Sequence, residues 1–404
     1  MIRILCLAQF SCDAYLAFHP SRQVRRHVST SFNSLIGKRW TTLKVEVNSR
    51  SSSRAHVDLH MSDVKLSSVD IDRTVTTIPD ASTPLYKNLF AGQVEQALLQ
   101  RFKSSDITRV LQSWRLLEKD YDHREFVGNQ QSPPITDAST SYCYQHAPSY
   151  VPGLKAVAWW DNIEDFPWAA SLSKSYKSIR DEFLSVMSSP DKLQEGNNIW
   201  AGALTTDAAS YGEGWKTLVL VNRGQWDDAN ANLFPVASRA IRDSGIPVVE
   251  AFFASMKPQT SIKPHSDFTN FVLTSHLPLV VPENGNNKCR LSVGDETRQW
   301  MEGNVILFDT SIYHDAINES EEMRYILMFR VWHPDLTKKE REALQFIYDC
   351  LEVPELLSDD PGTVLMAEQR ANMMREFPVK SAGGFGLGAS KGKKGKGKSK
   401  GKKR

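Results

Sequence analysis

The sequence predicts a mainly β core, an antiparallel sandwich or barrel, with α-helices flanking it. Three observations carry that expectation. Between residues 216 and 332 lie several short runs rich in β-branched and aromatic residues. Turn signals separate them, and no long helical period intervenes. Many closely spaced strands without crossover helices favour antiparallel pairing.

The totals bound the rest. A chain of 404 residues allows about two or three domains. With 41% hydrophobic residues and ten Trp, it has apolar material for a sizeable core. No run approaches the ~18 uncharged apolar residues of a membrane span. The net charge of +2 hides an asymmetry, because residues 391–404 hold eight Lys and one Arg with no acid. Removing those nine charges from +2 leaves about −7 on the remainder. The five cysteines, Cys6, Cys12, Cys143, Cys289 and Cys350, include no C-x-x-C pair, so neither a disulfide framework nor a zinc site is expected.

In chain order, residues 1–57 contain only two acids, Asp13 and Glu46, among many Arg, Ser and Thr. That composition predicts an organelle-targeting leader. The step Ala17-Phe18-His19-Pro20 resembles a plastid-leader junction. A mitochondrial leader and a plain N-terminal extension of a cytoplasmic protein are the alternatives. Residues 80–125 show apolar side chains at helical spacing and predict two helices, roughly 87–103 and 106–120, as a packing or docking segment. Pro133-Pro134 and the Ser/Thr-rich stretch around them read as a linker.

The main domain is expected at 145–345. It opens with a helix near 170–187, followed by strands at 216–222, 247–253, 270–281, 289–293, 304–309 and 324–332. Turns are expected at Glu283–Asn287, Gly294-Asp295 and Glu302–Asn304. C-terminal helices are expected at 346–378, then a disordered Gly/Lys-rich tail at 379–404. The stretch 391–404 is suited to non-specific contact with RNA, DNA or anionic lipid, or to solvation or localisation alone.

One constellation carries chemistry. His265 and Asp267 stand two apart in K-P-H-S-D, at the opening of a strand-like run, where i and i+2 share a face. His314 follows strand 304–309. Two imidazoles and one carboxylate with open positions opposite are the ligand set of non-haem Fe(II) oxygenases, which must bind a chelating co-substrate and O2 on the same ion. Arg324, ten residues after His314, offers a planar fork for the far carboxylate of a buried dicarboxylate such as 2-oxoglutarate. Taken singly, each has a bland reading: a lone His among strands is usually a bonded core residue, and Asp267 alone caps a turn. Order and spacing together favour the metal. His276 reads as a co-substrate neighbour or as plain core, and His333 as packing at a domain edge. Asp309 and Asp315 are candidate partners for the imidazoles' second nitrogens.

From here the residues resemble a known family, the aspartyl/asparaginyl β-hydroxylase domain within the 2-oxoglutarate oxygenases. The likeness runs over about 150–340. It is carried by Val151-Pro152-Gly153-Leu154, Trp159-Trp160, Ile179-Arg180-Asp181-Glu182 and Gly214-Trp215. Further along stand Met256, Pro258, Pro264-His265, Thr269-Asn270, His276-Leu277 and Val281-Pro282. It continues through Glu296-Thr297-Arg298-x-Trp300-x-Glu302-Gly303, Phe308-Asp309 and His314, and closes on Arg324 and Val331-Trp332-His333-Pro334-x-Leu336-Thr337. The resemblance implies a double-stranded β-helix, a cupin-like jelly roll, holding Fe(II). It assigns His265 and His314 to the metal, Arg324 to 2-oxoglutarate and His276 to the co-substrate pocket. Hydroxylation of a C–H bond is implied, first on an Asp/Asn-type side chain of a peptide or protein.

Departures accompany the likeness. The animal protein hydroxylases have Gly where Asp267 stands, whereas the bacterial lipid-hydroxylating branch has a carboxylate. A second family arginine corresponds to Thr274. A co-substrate serine corresponds to Ala254, with Ser255 beside it as the substitute expected to bind. The substrate-loop cysteines have no counterpart in Asp227–Ser238. A small-molecule or lipid acyl substrate is therefore the alternative, and a non-catalytic jelly-roll binding module the third reading.

Overall fold

The computed structural model describes residues 89–127, 143–189, 200–202, 210–282 and 288–378. The expected leader, the Pro133-Pro134 linker and the basic tail lie outside them.

Helices α1 (Leu89–Arg101) and α2 (Thr108–Glu118) fall inside the two expected ranges. A small hairpin of β1 (His123–Phe126) and β2 (Tyr144–Ala147) follows. Helix α3 (Pro167–Met187) starts on a proline, whose missing N–H is no loss in the first turn. It buries Trp168, Leu172, Ile179 and Phe183. Strands β3 (Trp215–Asn222) and β4 (Gln225–Trp226) lead into α4 (Asp228–Leu233) and α5 (Pro235–Ser244). No helix was expected between strands here. The apolar period of D-D-A-N-A-N-L-F-P-V-A-S is faint, yet the Asp227 cap on Asn230 N, the Pro235 start and the left-handed Gly245 stop define both helices.

Eight strands then complete the core. They are β5 (Val248–Met256), β6 (Thr260–His265), β7 (Val272–Val280), β8 (Cys289–Val293), β9 (Glu296–Gln299), β10 (Ile306–Phe308), β11 (His314–Asn318) and β12 (Arg324–Trp332). One sheet runs β10-β7-β12-β5-β3-β4 and the other β6-β11-β8-β9, all antiparallel. Strands β5 to β12 pass back and forth between these two sheets, which is the double-stranded β-helix. Strands β6, β9 and β11 were not expected. They are short and polar on one face, and β6 carries Pro264, which an edge strand tolerates.

Alternation sorts the side chains of the larger sheet. Ala251, Phe253, Leu273, Leu277, Leu307, Leu327 and Phe329 pack outward under α3 and α5. Phe252, Ala254, Met256, Phe308 and Ile326 pack inward against Ile262, Leu291, Val293 and Ala316 of the smaller sheet. Arg324, Thr274 and His276 share that inward parity, so the strand period alone aims them between the sheets.

Helices α6 (Lys338–Glu352) and α7 (Pro361–Arg375) pack with α1 and α2 in one apolar cluster that also takes in Val249, Phe271, Val272 and Trp332 of the sheet. The boundary expected at 345/346 falls inside α6, whose start is fixed by a capping box of Thr337 and Glu340. Glu340 also forms an ion pair with Arg109 of α2 at 2.6 Å, tying the two helices together.

Candidate metal centre

His265 ends β6 and His314 opens β11, and the two are register partners in the smaller sheet. The pairing slips between His314 and Ala316, so that Lys263 and Pro264 of β6 stand opposite Asp315 alone of β11. In an unbroken strand Ile262 and His265 would face opposite ways. The bulge turns both inward, where they line one cavity. Asp267 lies past the end of β6, in a turn that places Phe268 at φ 62°. The expectation that His265 and Asp267 open a strand is therefore corrected: they close one, and the turn brings Asp267 back to the imidazoles.

One ligand atom from each of His265, Asp267 and His314 lies within 4.8 Å of the other two. Asp267 Oδ1 is 3.7 Å from His265 Nε2 and 3.9 Å from His314 Nε2. Each imidazole bonds through Nδ1 to a backbone carbonyl two residues earlier, Lys263 O at 2.8 Å and Ile312 O at 3.0 Å. A carbonyl only accepts, so Nδ1 carries the proton and both Nε2 lone pairs face inward. Burial and the neighbouring His265 pull His314 down to about 4, which keeps it neutral at physiological pH. Burial alone would raise Asp267, but the Arg330 guanidinium and the two imidazoles outweigh it and hold the carboxyl at about 2. Two imidazoles and one carboxylate facing a common point fit a divalent cation.

The other end of the cavity is cationic. Arg324 is fully buried, with its guanidinium over the Trp300 ring at 4.4 Å. Its Nη2 meets Met256 Sδ at 3.3 Å, while Nε and Nη1 are buried without a partner. Burial pulls its pKa down to about 10, so it is still charged at neutral pH. His276 lies between, accepting the Trp300 indole N–H on Nδ1 at 3.0 Å and leaving a buried, unpartnered Nε2–H. Burial and the Arg324 charge keep His276 neutral. A buried cation and a neighbouring N–H donor, both unsatisfied, fit the far carboxylate of a dicarboxylate.

The structure thus brings together five of the six residues singled out from the sequence: His265, Asp267, His314, Arg324 and His276 all line this cavity. Ser255 does not. It stands one residue off the inward parity of Ala254 and Met256, and its hydroxyl turns to Lys216 O of β3 at 3.4 Å. Its expected contact with the co-substrate is withdrawn. Asp309 and Asp315 do not serve the imidazoles either, since those bond to carbonyls. Asp309 instead accepts from Ser311 N and Oγ at 2.8 and 2.5 Å.

Two residues went unnoticed in the sequence. Tyr211 places its hydroxyl 2.8 Å from His265 Nε2 and 3.2 Å from Asp267 Oδ1. Nothing in S-Y-G-E-G-W announces this. Arg330 forms an ion pair with Asp267 Oδ2 in the buried interior. A charged residue inside the apolar run R-Y-I-L-M-F-R-V-W was a legible sign, because such a charge needs a partner.

Comparison with known proteins agrees with this arrangement. Residues 173–334 match the family described as Aspartyl/Asparaginyl beta-hydroxylase. The human protein named Aspartyl/asparaginyl beta-hydroxylase is 31% identical over 205 residues, which is 49% of this chain and 25% of that one. A Rhizobium tropici protein named Ornithine lipid ester-linked acyl 2-hydroxylase is 31% identical over 183 residues, 45% of this chain and 61% of that one. The chain thus spans about a quarter of its human relative and three fifths of its bacterial one. Over residues 173–334 the chain is thus similar to the aspartyl/asparaginyl β-hydroxylase family.

Proposed function

We propose that this chain is an Fe(II)- and 2-oxoglutarate-dependent dioxygenase that hydroxylates a C–H bond, with an Asp/Asn-type side chain of a peptide or protein as substrate. The observation that carries this reading is the two-ended cavity. Three convergent ligand atoms stand at one end and a charged, unsatisfied guanidinium at the other.

His265, Asp267 and His314 would hold the iron. Iron(II), when bound, supplies activation of O2 coupled to oxidative decarboxylation of the 2-oxo acid. Overall, 2-oxoglutarate, O2 and R–H become succinate, CO2 and R–OH. The chain's own part is placement. Arg324 binds the distal carboxylate, and His276 donates Nε2–H toward it. Trp300 keeps the guanidinium face covered, while Trp215, Phe308, Ile326 and Met328 exclude water.

A lipid acyl or other small-molecule substrate is the second reading. Asp267 favours it, as does the printed name of the bacterial relative. Succinate formed by the full-length chain, measured with and without Fe(II), tests the reaction class. Mass gain on peptides against acyl lipids then separates the substrates. A folded chain that binds neither iron nor 2-oxoglutarate would leave the binding-module reading standing.

A further inference from the structure

Asp267 is clamped. Its Oδ2 is paired with Arg330, while Oδ1 faces the two imidazoles. Arg330 is itself buried. On the neighbouring strand β5 its register partner is Glu250, and both Glu250 and Tyr348 of α6 act on it electrostatically. Glu250 in turn feels Arg223, which forms an ion pair with Glu352 at the end of α6. Acidic and basic side chains thus alternate from the cavity to a helix that lies beyond residues 173–334: Asp267, Arg330, Glu250, Arg223, Glu352.

A carboxylate can meet a metal through one oxygen or two, and a free Asp rotates between these modes. Here a guanidinium takes one oxygen permanently. That guanidinium is itself carried on β12, with Glu250 of β5 as its register partner. We propose that Arg330 is a positioning residue of the metal centre, which presents Asp267 to a divalent cation through Oδ1 alone. The inference rests on the metal reading given under Proposed function and deepens it. It makes Asp267 and Arg330 a functional pair: removing either leaves a buried charge, and removing both leaves a two-histidine site.

The test uses the full-length chain and Co(II), whose visible absorption reports ligand number and geometry without turnover. Titrations would compare wild type with Arg330→Lys, Arg330→Met, Asp267→Gly and the double variant Asp267→Gly/Arg330→Met. Second-sphere partners of metal ligands typically contribute 10–100-fold in affinity. Both Arg330 variants are expected to bind Co(II) at least ~10-fold more weakly, with spectra shifted toward that of Asp267→Gly. Lysine keeps the charge but not the fork, so it should rescue folding more than affinity. The double variant carries neither buried charge, and it is expected to bind no more weakly than Asp267→Gly alone. Arg330 variants that bind Co(II) with wild-type affinity and spectrum would overturn the inference while leaving the metal reading intact. Absence of Co(II) binding by the folded wild type would overturn both.

Discussion

The guanidinium of Arg324 lies over the indole of Trp300, 4.4 Å from the ring centre, and that indole donates its N–H to His276 at 3.0 Å. One aromatic residue therefore covers the cation and sets the tautomer of its neighbour. Two guanidinium nitrogens and His276 Nε2 are left buried and unsatisfied. This is a costly arrangement unless a ligand completes it.

Arg324→Met is expected to act in opposite directions on binding and on stability. Loss of the fork should raise the KM for 2-oxoglutarate by about 100-fold, in line with the 2–5 kcal/mol of a truncated buried charge pair. The ligand-free chain should gain about 1–3 kcal/mol, because an unpaired buried cation gives way to an apolar side chain of similar reach. Succinate formation against 2-oxoglutarate concentration measures the first, and urea unfolding without 2-oxoglutarate the second. A variant less stable than wild type in the absence of ligand would count against an unsatisfied Arg324.

Trp300→Phe removes the donor that holds His276 Nδ1 as an acceptor. The imidazole is then free to place its proton on either nitrogen. A rise of about 3–10-fold in the KM for 2-oxoglutarate, with kcat nearly unchanged, is the expected outcome for a binding-only role. A selective fall in kcat would instead place the pair in the chemical step.

How far these residues were readable from sequence depends on the element that carries them. His276 and Arg324 sit on long, strongly apolar strands, where the two-residue period fixes their direction once the strand is recognised. Ser255 entered through the resemblance, as the neighbour of Ala254, and the strand period excludes it, because adjacent residues face opposite sides of the sheet. His265 points inward through a bulge and Asp267 through a turn after the strand, so neither follows from alternation, and only the motif brought them together. Tyr211 arrives from outside the core strands, and its approach to His265 is a tertiary fact with no local sign.

Tyr211 yields a further expectation. Its hydroxyl lies 2.8 Å from His265 Nε2, the atom a metal would need. Metal binding must break that hydrogen bond, at a net cost of about 0.5–1.5 kcal/mol. Tyr211→Phe should therefore bind Co(II) about 2–10-fold more tightly, as read by competition with a chelating dye. Weaker binding by this variant would show that the hydroxyl supports the loaded site and does not compete for it.

Asp309 gives the pH dependence of stability. Burial lifts its carboxyl to about 7, despite the hydrogen bonds from Ser311 and Gln145. A carboxyl raised above its unfolded value of ~3.9 holds its proton more tightly in the folded chain. The stability it contributes is complete below about pH 4 and is lost as the pH rises through about 7. Asp267, held at about 2, works in the opposite sense at the acid end, outside this window. His314 and His276, both depressed by burial, pull the other way in this window, so the test is a difference: between pH 4.5 and 7.5 the urea midpoint of Asp309→Asn should gain on that of wild type as the pH rises. A constant difference between the two would assign the titration to another group.

The pairing of His265 with His314 across β6 and β11 has a consequence for how the proposed ion would be acquired. The two imidazoles are forty-nine residues apart and meet only when the smaller sheet has formed. The unfolded chain has no local claw to seize a cation, unlike a zinc finger, whose close-set ligands make metal capture and folding one event. Both rings are already locked to backbone carbonyls, and Arg330 already holds Asp267. On the proposed reading, loading the ion would be a late and reversible act performed on a finished protein. A chelator should empty the site without unfolding it, and a chain made where iron is scarce should become competent whenever the metal arrives.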